Sequence, residues 1–329
     1  MGGSHPRRGR HRRRRRRRSG VSAAPRDQQP RRILVVSHFA REEAIDASIT
    51  VLRLLGERGI VPVIESSIDD ELRDQLGDRL PACVERLGVD CAIADCELVM
   101  VLGGDGTILR GVEIARPGDV PVLGVNLGHV GFLAESERDS LPYVLERVIE
   151  RDYDVERRLA LDLTVEAEDG SRTSGWALNE ASVEKGNRER MLDVVIDVDG
   201  EPLSSFGCDG VLLSTPTGST AYSFSAGGPV VWPQVEALLL VPVSAHALFA
   251  KPIVVAPDSV LAVEIRPRDG ADAVLWLDGR RQVDLTTGTR VTATRSAQPV
   301  KLARLHRAPF TTRLVKKFQL PIVGWRGPR

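Results

Sequence analysis

The tightest constraint on the fold comes from residues 97–107. There Glu97-Leu98-Val99-Met100-Val101-Leu102 gives way to Gly103-Gly104-Asp105-Gly106-Thr107, an apolar run of strand character breaking into glycines around one carboxylate. Ile108, Leu109, Val112 and Ala115 follow at helical spacing, so the segment reads as strand, glycine turn and helix. Glycines let backbone N–H groups approach a ligand closely, and a helix start carries partial positive charge, so such a turn favours an anion. Asp105 is the exception within it. A carboxylate at that point could hold a metal, accept a hydroxyl hydrogen bond or act as a general base. Asp-Gly pairs recur at 169, 199, 209, 269 and 278, and most such pairs simply reverse hairpins. Asp105 differs in the continuous buried-type strand before it, the two extra glycines, and the helix rather than strand after it.

On either side of this turn the pattern repeats. Residues 32–37 and 60–64 read as strands with a helix over 42–57 between them, and residues 68–95 mix acids with scattered apolar positions, as helix and loop would. Pro117 stops the helix after Asp105. Residues 120–125 form another strand, which runs into a second glycine-rich loop, Asn126-Leu127-Gly128-His129-Val130-Gly131-Phe132-Leu133. Strands alternating with helices predict a doubly wound parallel sheet that binds ligands at the carboxyl ends of its strands, where both glycine loops fall. From about residue 152 the chain changes to short strands with turn signals, at 159–165, 193–198 and 273–277, each running to an Asp-Gly pair. The expected organisation is a tail over 1–30, an α/β domain over 31–151, a β-rich, sandwich-like domain over 152–305 and a terminal segment over 306–329.

One stretch of the β-rich half is not ordinary sheet. Gly207-Cys208-Asp209-Gly210 leads into Val211-Leu212-Leu213 and then Ser214-Thr215-Pro216-Thr217-Gly218-Ser219-Thr220-Ala221-Tyr222-Ser223-Phe224-Ser225. Small hydroxyls and glycines at this density supply donors and acceptors while leaving room for a flat ligand, with Tyr222 available for stacking or a hydroxyl contact. A flexible Ser/Gly linker has a similar composition. The strand-like runs entering and leaving the stretch argue for an ordered loop.

At 329 residues the chain is long enough for two domains with a sizeable core. Formal charge is zero overall, yet residues 1–32 hold thirteen arginines and one acid, leaving 32 basic against 44 acidic residues in the rest. The arginine-rich tail has almost nothing to bury and is expected to be disordered. It could hold nucleic acid or polyphosphate electrostatically, be a solvated tail, or precede the true translation start. The acidic body disfavours nucleic acid as the main partner. No apolar segment follows the charges as in a signal peptide, and residues 237–243 are too short for a membrane span of about 20 residues. Cysteines at 83, 91, 96 and 208 form no Cys-x-x-Cys pair, which predicts reduced thiols in a cytoplasmic protein. Histidines 38, 129, 246 and 306 show no metal spacing and no metal-ligand set is readable. The phosphate-binding motif Gly-x-x-x-x-Gly-Lys-Ser/Thr is missing, so only residues 103–107 and 128–131 remain as candidates to hold donor phosphates.

Taken together, Gly103-Gly104-Asp105-Gly106-Thr107, Leu178-Asn179-Glu180, and Asp209-Gly210 followed by residues 214–222 resemble the NAD kinases in order and spacing. The resemblance covers residues 31–329 and is close to the actinobacterial members, down to Phe318-Gln319-Leu320-Pro321 and Gly324-Trp325-Arg326-Gly327. The first motif alone is shared with diacylglycerol, sphingosine and phosphofructokinases; the three together are specific. The resemblance implies an α/β domain followed by a β-rich NAD-binding domain, the last segment packing back on the first, and the site between the two. It implies phosphoryl transfer from ATP, with Mg²⁺, to the 2′-hydroxyl of the adenosine ribose of NAD, and inorganic polyphosphate as a further donor. Homodimers or homotetramers are usual.

Carried over by position, Asp105 is the proton acceptor, with Gly106 beside it at the NAD, and Gly103, Gly104 and Thr107 form the donor-phosphate loop. Arg110 neutralises phosphate, Asn179 and Glu180 hold the adenosine, and Asp209 receives the nicotinamide carboxamide. Thr220, Ala221, Tyr222, Ser223, Phe224 and Ser225 line the adenine pocket. Arg190 stands where the family has a contact from a neighbouring subunit. Arg280, where many members have glutamine, contacts phosphate or donor, or faces solvent. Two other readings compete: a kinase with the same glycine motif acting on a lipid or sugar phosphate, and a non-catalytic dinucleotide sensor tethered through its arginines.

Overall fold

The computed structural model describes residues 1–2, 30–38, 42–67, 80–127, 131–134, 136–137, 141–186, 190–266, 273–305 and 309–322. Most of the arginine-rich tail, residues 68–79, residues 128–130 of the second glycine loop, the Asp269-Gly270 pair and the end of the chain from 323 lie outside them.

Strands and helices alternate through the first half as expected. They are β1 (Arg32–Ser37), α1 (Glu42–Glu57), β2 (Val61–Glu65), β3 (Glu85–Leu87), β4 (Leu98–Leu102), α2 (Asp105–Ala115), β5 (Val122–Asn126), β6 (Ser136–Glu137) and α3 (Leu141–Ile149). The second half runs β7 (Asp154–Arg158), β8 (Leu161–Glu166), β9 (Arg172–Ala177), β10 (Glu180–Lys185), β11 (Leu192–Val198), β12 (Glu201–Cys208) and β13 (Gly210–Ser214). After a short helix α4 (Tyr222–Ser225) come β14 (Leu238–Val243), β15 (Ile253–Val255), β16 (Leu261–Ile265), β17 (Ala273–Leu277), β18 (Arg281–Leu285), β19 (Arg290–Arg295), β20 (Val300–Arg304) and α5 (Phe310–Phe318).

The main sheet has the order β3-β2-β1-β4-β5-β20-β7, parallel from β3 to β20. Its central strands β1, β4 and β5 are almost wholly apolar because both of their faces are covered, whereas the edge strands β3 and β7 carry charge. On β4, Leu98, Met100 and Leu102 pack in one core with α1 and α3, while Val99 and Val101 pack in another with Ile108 and Val112 of α2. Two of its strands, β7 and β20, come from beyond residue 151 and pair antiparallel with each other.

The remaining strands form two antiparallel sheets, β15-β14-β13-β10-β17-β18 and β12-β11-β16-β19-β8-β9. They share one core, in which Val183, Val211 and Leu275 of the first sheet meet Leu163, Ile196 and Val291 of the second. The chain passes from one sheet to the other at Asp209, so that Asp-Gly pair joins β12 to β13 rather than reversing a hairpin. By contrast Asp199-Gly200 and Asp278-Gly279 are tight reversals with positive φ at both residues (57° and 86°; 54° and 63°). β13 is buried on both faces, because the hydroxyl-rich segment brings Ala226 and Val231 over Leu212, Leu239 and Val241 on its outer side. Among the described residues no helix is long and apolar enough to cross a membrane.

What sets the height of α2 over the main sheet is Gly111: a Cβ there would fall 2.4 Å from Val101 Cγ2. Gly111→Ala is therefore expected to lift the helix and cost about 1–3 kcal/mol. Thermal or urea unfolding would register that loss, and an unchanged midpoint would show that the helix has slack over the sheet.

Candidate active site

In the main sheet the chain leaves β1 towards β2 on one side, and β4 leads to β5 on the other. The loops at the carboxyl ends of β1 and β4 diverge at such a point and leave a crevice. A cleft of about 330 Å³ lies there, lined by His38, Leu102, Gly103, Gly104, Thr107 and Asn126. α2 begins at its edge. The residue capping α2, Gly104, has extended backbone and offers no side chain to the first turn; the Thr107 N–H turns back to the Gly104 carbonyl at 3.0 Å, and those of Asp105 and Gly106 are left for a ligand.

Asp105 is the first residue of α2, and its carboxylate is fixed by the second glycine loop. The N–H of Phe132 donates to Oδ2 and the N–H of Leu133 to Oδ1, each at 3.1 Å. Gly131 permits this approach, since a Cβ on it would lie 2.3 Å from Asp105 Oδ1. The described part of the second glycine loop thus cradles the carboxylate. Arg110, one turn into α2, reaches Glu65 at the end of β2 at 3.0 Å. Arg280 pairs with Glu113 of α2 at 3.2 Å.

The second motif is knotted to the third by main chain. Asn179 and Glu180 are buried, and the carbonyl of Asn179 accepts from the Thr215 N–H at 2.9 Å and from Ser214 Oγ at 3.1 Å. Thr215 Oγ1 donates to the Leu178 carbonyl at 2.6 Å. From the β17–β18 turn, Asp278 accepts the N–H groups of Leu178 at 3.0 Å and Asn179 at 2.6 Å. Arg281 ties this carboxylate, at 3.0 Å, to Glu113 of α2, at 3.1 Å, so the knot is linked to the helix that carries Asp105.

Among the described residues, Glu180 Oε2 and Ser223 Oγ are buried here with no hydrogen-bond partner. The Glu180 carboxylate accepts the Tyr222 N–H, yet burial and the nearby Asp278 push its pKa up to about 8. Burial also raises Asp278. The rings of Tyr222 and Phe224 stand partly exposed beside them, and Thr220 donates to the Thr217 carbonyl at 3.3 Å. Unsatisfied buried polar atoms flanked by exposed rings suit a flat ligand with a hydrogen-bonding edge. Asp209 stands apart, at the far end of β13 from Ser214, about 17 Å away at the usual rise of a strand. There it pairs with Lys185 at 2.5 Å, which holds its carboxyl below the usual range. Arg190 is exposed, just before β11.

Several participants were not singled out from the sequence. Phe132 and Leu133 act through backbone amides, which no side-chain pattern advertises, although the glycine loop containing them was visible. Asp278 reads as one more Asp-Gly turn, and only the fold turns its side chain inward. The terminal helix α5 is a third case. Phe132 packs between Phe310 and Phe318, with centroids 5.9 and 5.6 Å away, and Phe318 stacks on Phe224 at 4.3 Å. One helix therefore touches both the loop holding Asp105 and the hydroxyl-rich segment.

The raised pKa of Glu180 has a thermodynamic signature. The folded chain keeps this proton where an unfolded chain has released it, so the contribution is full below the usual carboxylate range and is lost as pH rises through about 8. Glu180→Gln, neutral throughout, is expected to flatten the fall in melting midpoint between about pH 5 and pH 9. An identical slope in wild type and variant would place the titration elsewhere.

Comparison with known proteins follows the same outline. Residues 33–153 match the family model of the ATP-NAD kinase N-terminal domain, and residues 178–305 that of the ATP-NAD kinase C-terminal domain. An NAD kinase of Leifsonia xyli is 58% identical over 299 residues, 91% of this chain and 97% of the relative. NAD kinase 2 of Streptomyces coelicolor is 54% identical over 303 residues, 90% of this chain and 97% of its own. Yeast NADH kinase, solved with NADH, shares the fold with a TM-score of 0.80 at 24% identity, over 90% of this chain and 89% of that one. An NAD kinase from Archaeoglobus fulgidus, solved with ATP, aligns with a TM-score of 0.64 at 26% identity, over 88% and 98% of the two chains. With both domain models matched in order and relatives above half identity along nearly its whole length, the chain belongs to the ATP-NAD kinase family.

Proposed function

We propose that this chain transfers the terminal phosphoryl group of ATP to the 2′-hydroxyl of the adenosine ribose of NAD, giving NADP, with Asp105 as the base. The observation that carries the reading is one carboxylate, held by two amides, at the start of a helix whose glycine turn borders a cleft at the carboxyl ends of the strands. Phosphoryl transfer asks for positioning, charge neutralisation and a group that orients the nucleophile. The amides of Asp105 and Gly106 and the positive end of α2 supply the second. Asp105 supplies the third. Each of its oxygens has acceptor capacity beyond the single N–H it receives, so a ribose hydroxyl can donate to it and pass on its proton as the new O–P bond forms and the bond from the γ-phosphorus to the bridging oxygen breaks, releasing ADP.

The nucleoside is held by the polar atoms left unsatisfied beside the knot. Glu180 and Ser223 meet its hydrogen-bonding groups together with Asn179, and Tyr222 and Phe224 flank the base. A divalent cation belongs to the reading. Asp105 offers it one carboxylate, and magnesium in such sites takes one or two carboxylates with substrate phosphates completing its shell. When bound, it neutralises the phosphoryl oxygens. Inorganic polyphosphate as a second donor, a cytoplasmic location, and a homodimer or homotetramer in which Arg190 approaches a neighbour's NAD complete the proposal.

Purified chain given NAD, ATP and Mg²⁺ is expected to form NADP, and Asp105→Asn to lower kcat by about 10²–10⁴-fold while NAD still binds. Parallel reactions with polyphosphate decide the second donor. Folded protein that binds NAD, makes no NADP with either donor, and binds equally as the Asp105→Asn variant would be a dinucleotide sensor instead.

A further inference from the structure

The peptide unit between Phe132 and Leu133 is held at both ends. Its N–H, on Leu133, donates to Asp105 Oδ1 at 3.1 Å, and its carbonyl, on Phe132, accepts from Arg313 Nη1 at 2.9 Å. The unit is planar, so fixing the oxygen fixes the direction of the N–H. A guanidinium on the carbonyl also polarises the amide, strengthening the bond donated on the other side. The next peptide unit is gripped the same way, with Arg304 Nη1 donating to the Leu133 carbonyl at 3.0 Å.

Both arginines come from the far end of the chain and are themselves anchored. Arg304, on β20, is buried, and its Nε donates to Glu156 of β7 at 2.8 Å. Arg313 sits on α5 between Phe310 and Phe318, the two rings that enclose Phe132. Positions three and eight residues from Phe310 fall on one face of a helix, so the rings that seat α5 also aim Arg313 at the loop. The preceding residue, Gly131, adds no side chain that could hold these peptide planes.

We propose that Arg313, seconded by Arg304, is a positioning residue for phosphoryl transfer, orienting Asp105 through the Phe132–Leu133 peptide group. This rests on Asp105 being the base. Without the guanidinium the peptide can rotate, the Leu133 N–H swings off Oδ1, and the carboxylate loses its aim at the ribose hydroxyl, while the nucleoside contacts of Asn179, Glu180 and Ser223 stay in place. The loss should appear in turnover rather than in NAD binding.

Steady-state kinetics on the full chain test this, with Arg313 chosen because Arg304 is buried in an ion network. Arg313→Gln is expected to lower kcat about ten-fold, with the NAD KM within about two-fold and an unchanged melting midpoint. Arg313→Lys, which keeps a charged donor, should recover most of the rate, and Lys317→Gln on the exposed side of α5 should match wild type. The deciding measurement is the double variant. If Arg313 acts through Asp105, Arg313→Gln costs nothing further once Asp105 is Asn. An unchanged kcat in Arg313→Gln, a rise in KM in place of the fall in kcat, or the same ten-fold loss in both backgrounds would overturn the proposal. Full turnover by Asp105→Asn alone would overturn the base assignment beneath it.

Discussion

Everything at this site depends on two backbone amides meeting one carboxylate. Asp105 opens a helix, where a negative side chain is favoured by the helix dipole, but that alone leaves its direction open. The N–H groups of Phe132 and Leu133 close the choice, and they reach it because Gly131 carries no Cβ. A peptide amide donates along a direction set by its plane, so the carboxylate inherits the rigidity of main chain rather than the freedom of a side chain.

The rest of the architecture brings supports to that contact. β4 and β5 are neighbours in the main sheet, so the glycine turn after one and the glycine loop after the other lie side by side. β20 returns beside β5, which places the start of the terminal segment, and with it α5, next to the same loop. On the other flank Arg281 joins Glu113 of α2 to Asp278, and Asp278 holds the amides of Leu178 and Asn179. Asp105 and the knot around Asn179 are thereby tied to the two ends of one helix. Phe318, touching both Phe132 and Phe224, closes the circuit from the opposite side.

Much of this was legible in the chain. Apolar periodicity placed β1, α1, β4 and α2 within a residue or three, because a strand buried on both faces and an amphipathic helix leave strong, different signatures. Glycine clusters marked both loops at the strand ends. Less legible were the ambiguous Asp-Gly pairs. Asp199 and Asp278 make tight reversals, Asp209 carries the chain between two sheets, and of these three only Asp278 buries its carboxylate, against the amides of Leu178 and Asn179. Local sequence cannot separate these cases, since the turn chemistry is the same and the difference lies in what packs behind it. Arg110 illustrates the converse: its spacing suits a phosphate, yet Glu65 stands close enough to pair with it.

By itself the sequence determined the class of fold, the two glycine loops, the singling-out of Asp105 as the one carboxylate in a glycine turn at a helix start, and a family resemblance carried by three motifs. Those properties are local, written in hydrophobic period, glycine placement and short spacings. Tertiary structure decided which backbone amides hold Asp105, which aspartate fastens Asn179, and that arginines some 180 residues downstream grip the loop between them. Contacts of that kind join groups with no periodic relation in the chain. They exist only once β20 has paired beside β5 and α5 has closed over Phe132.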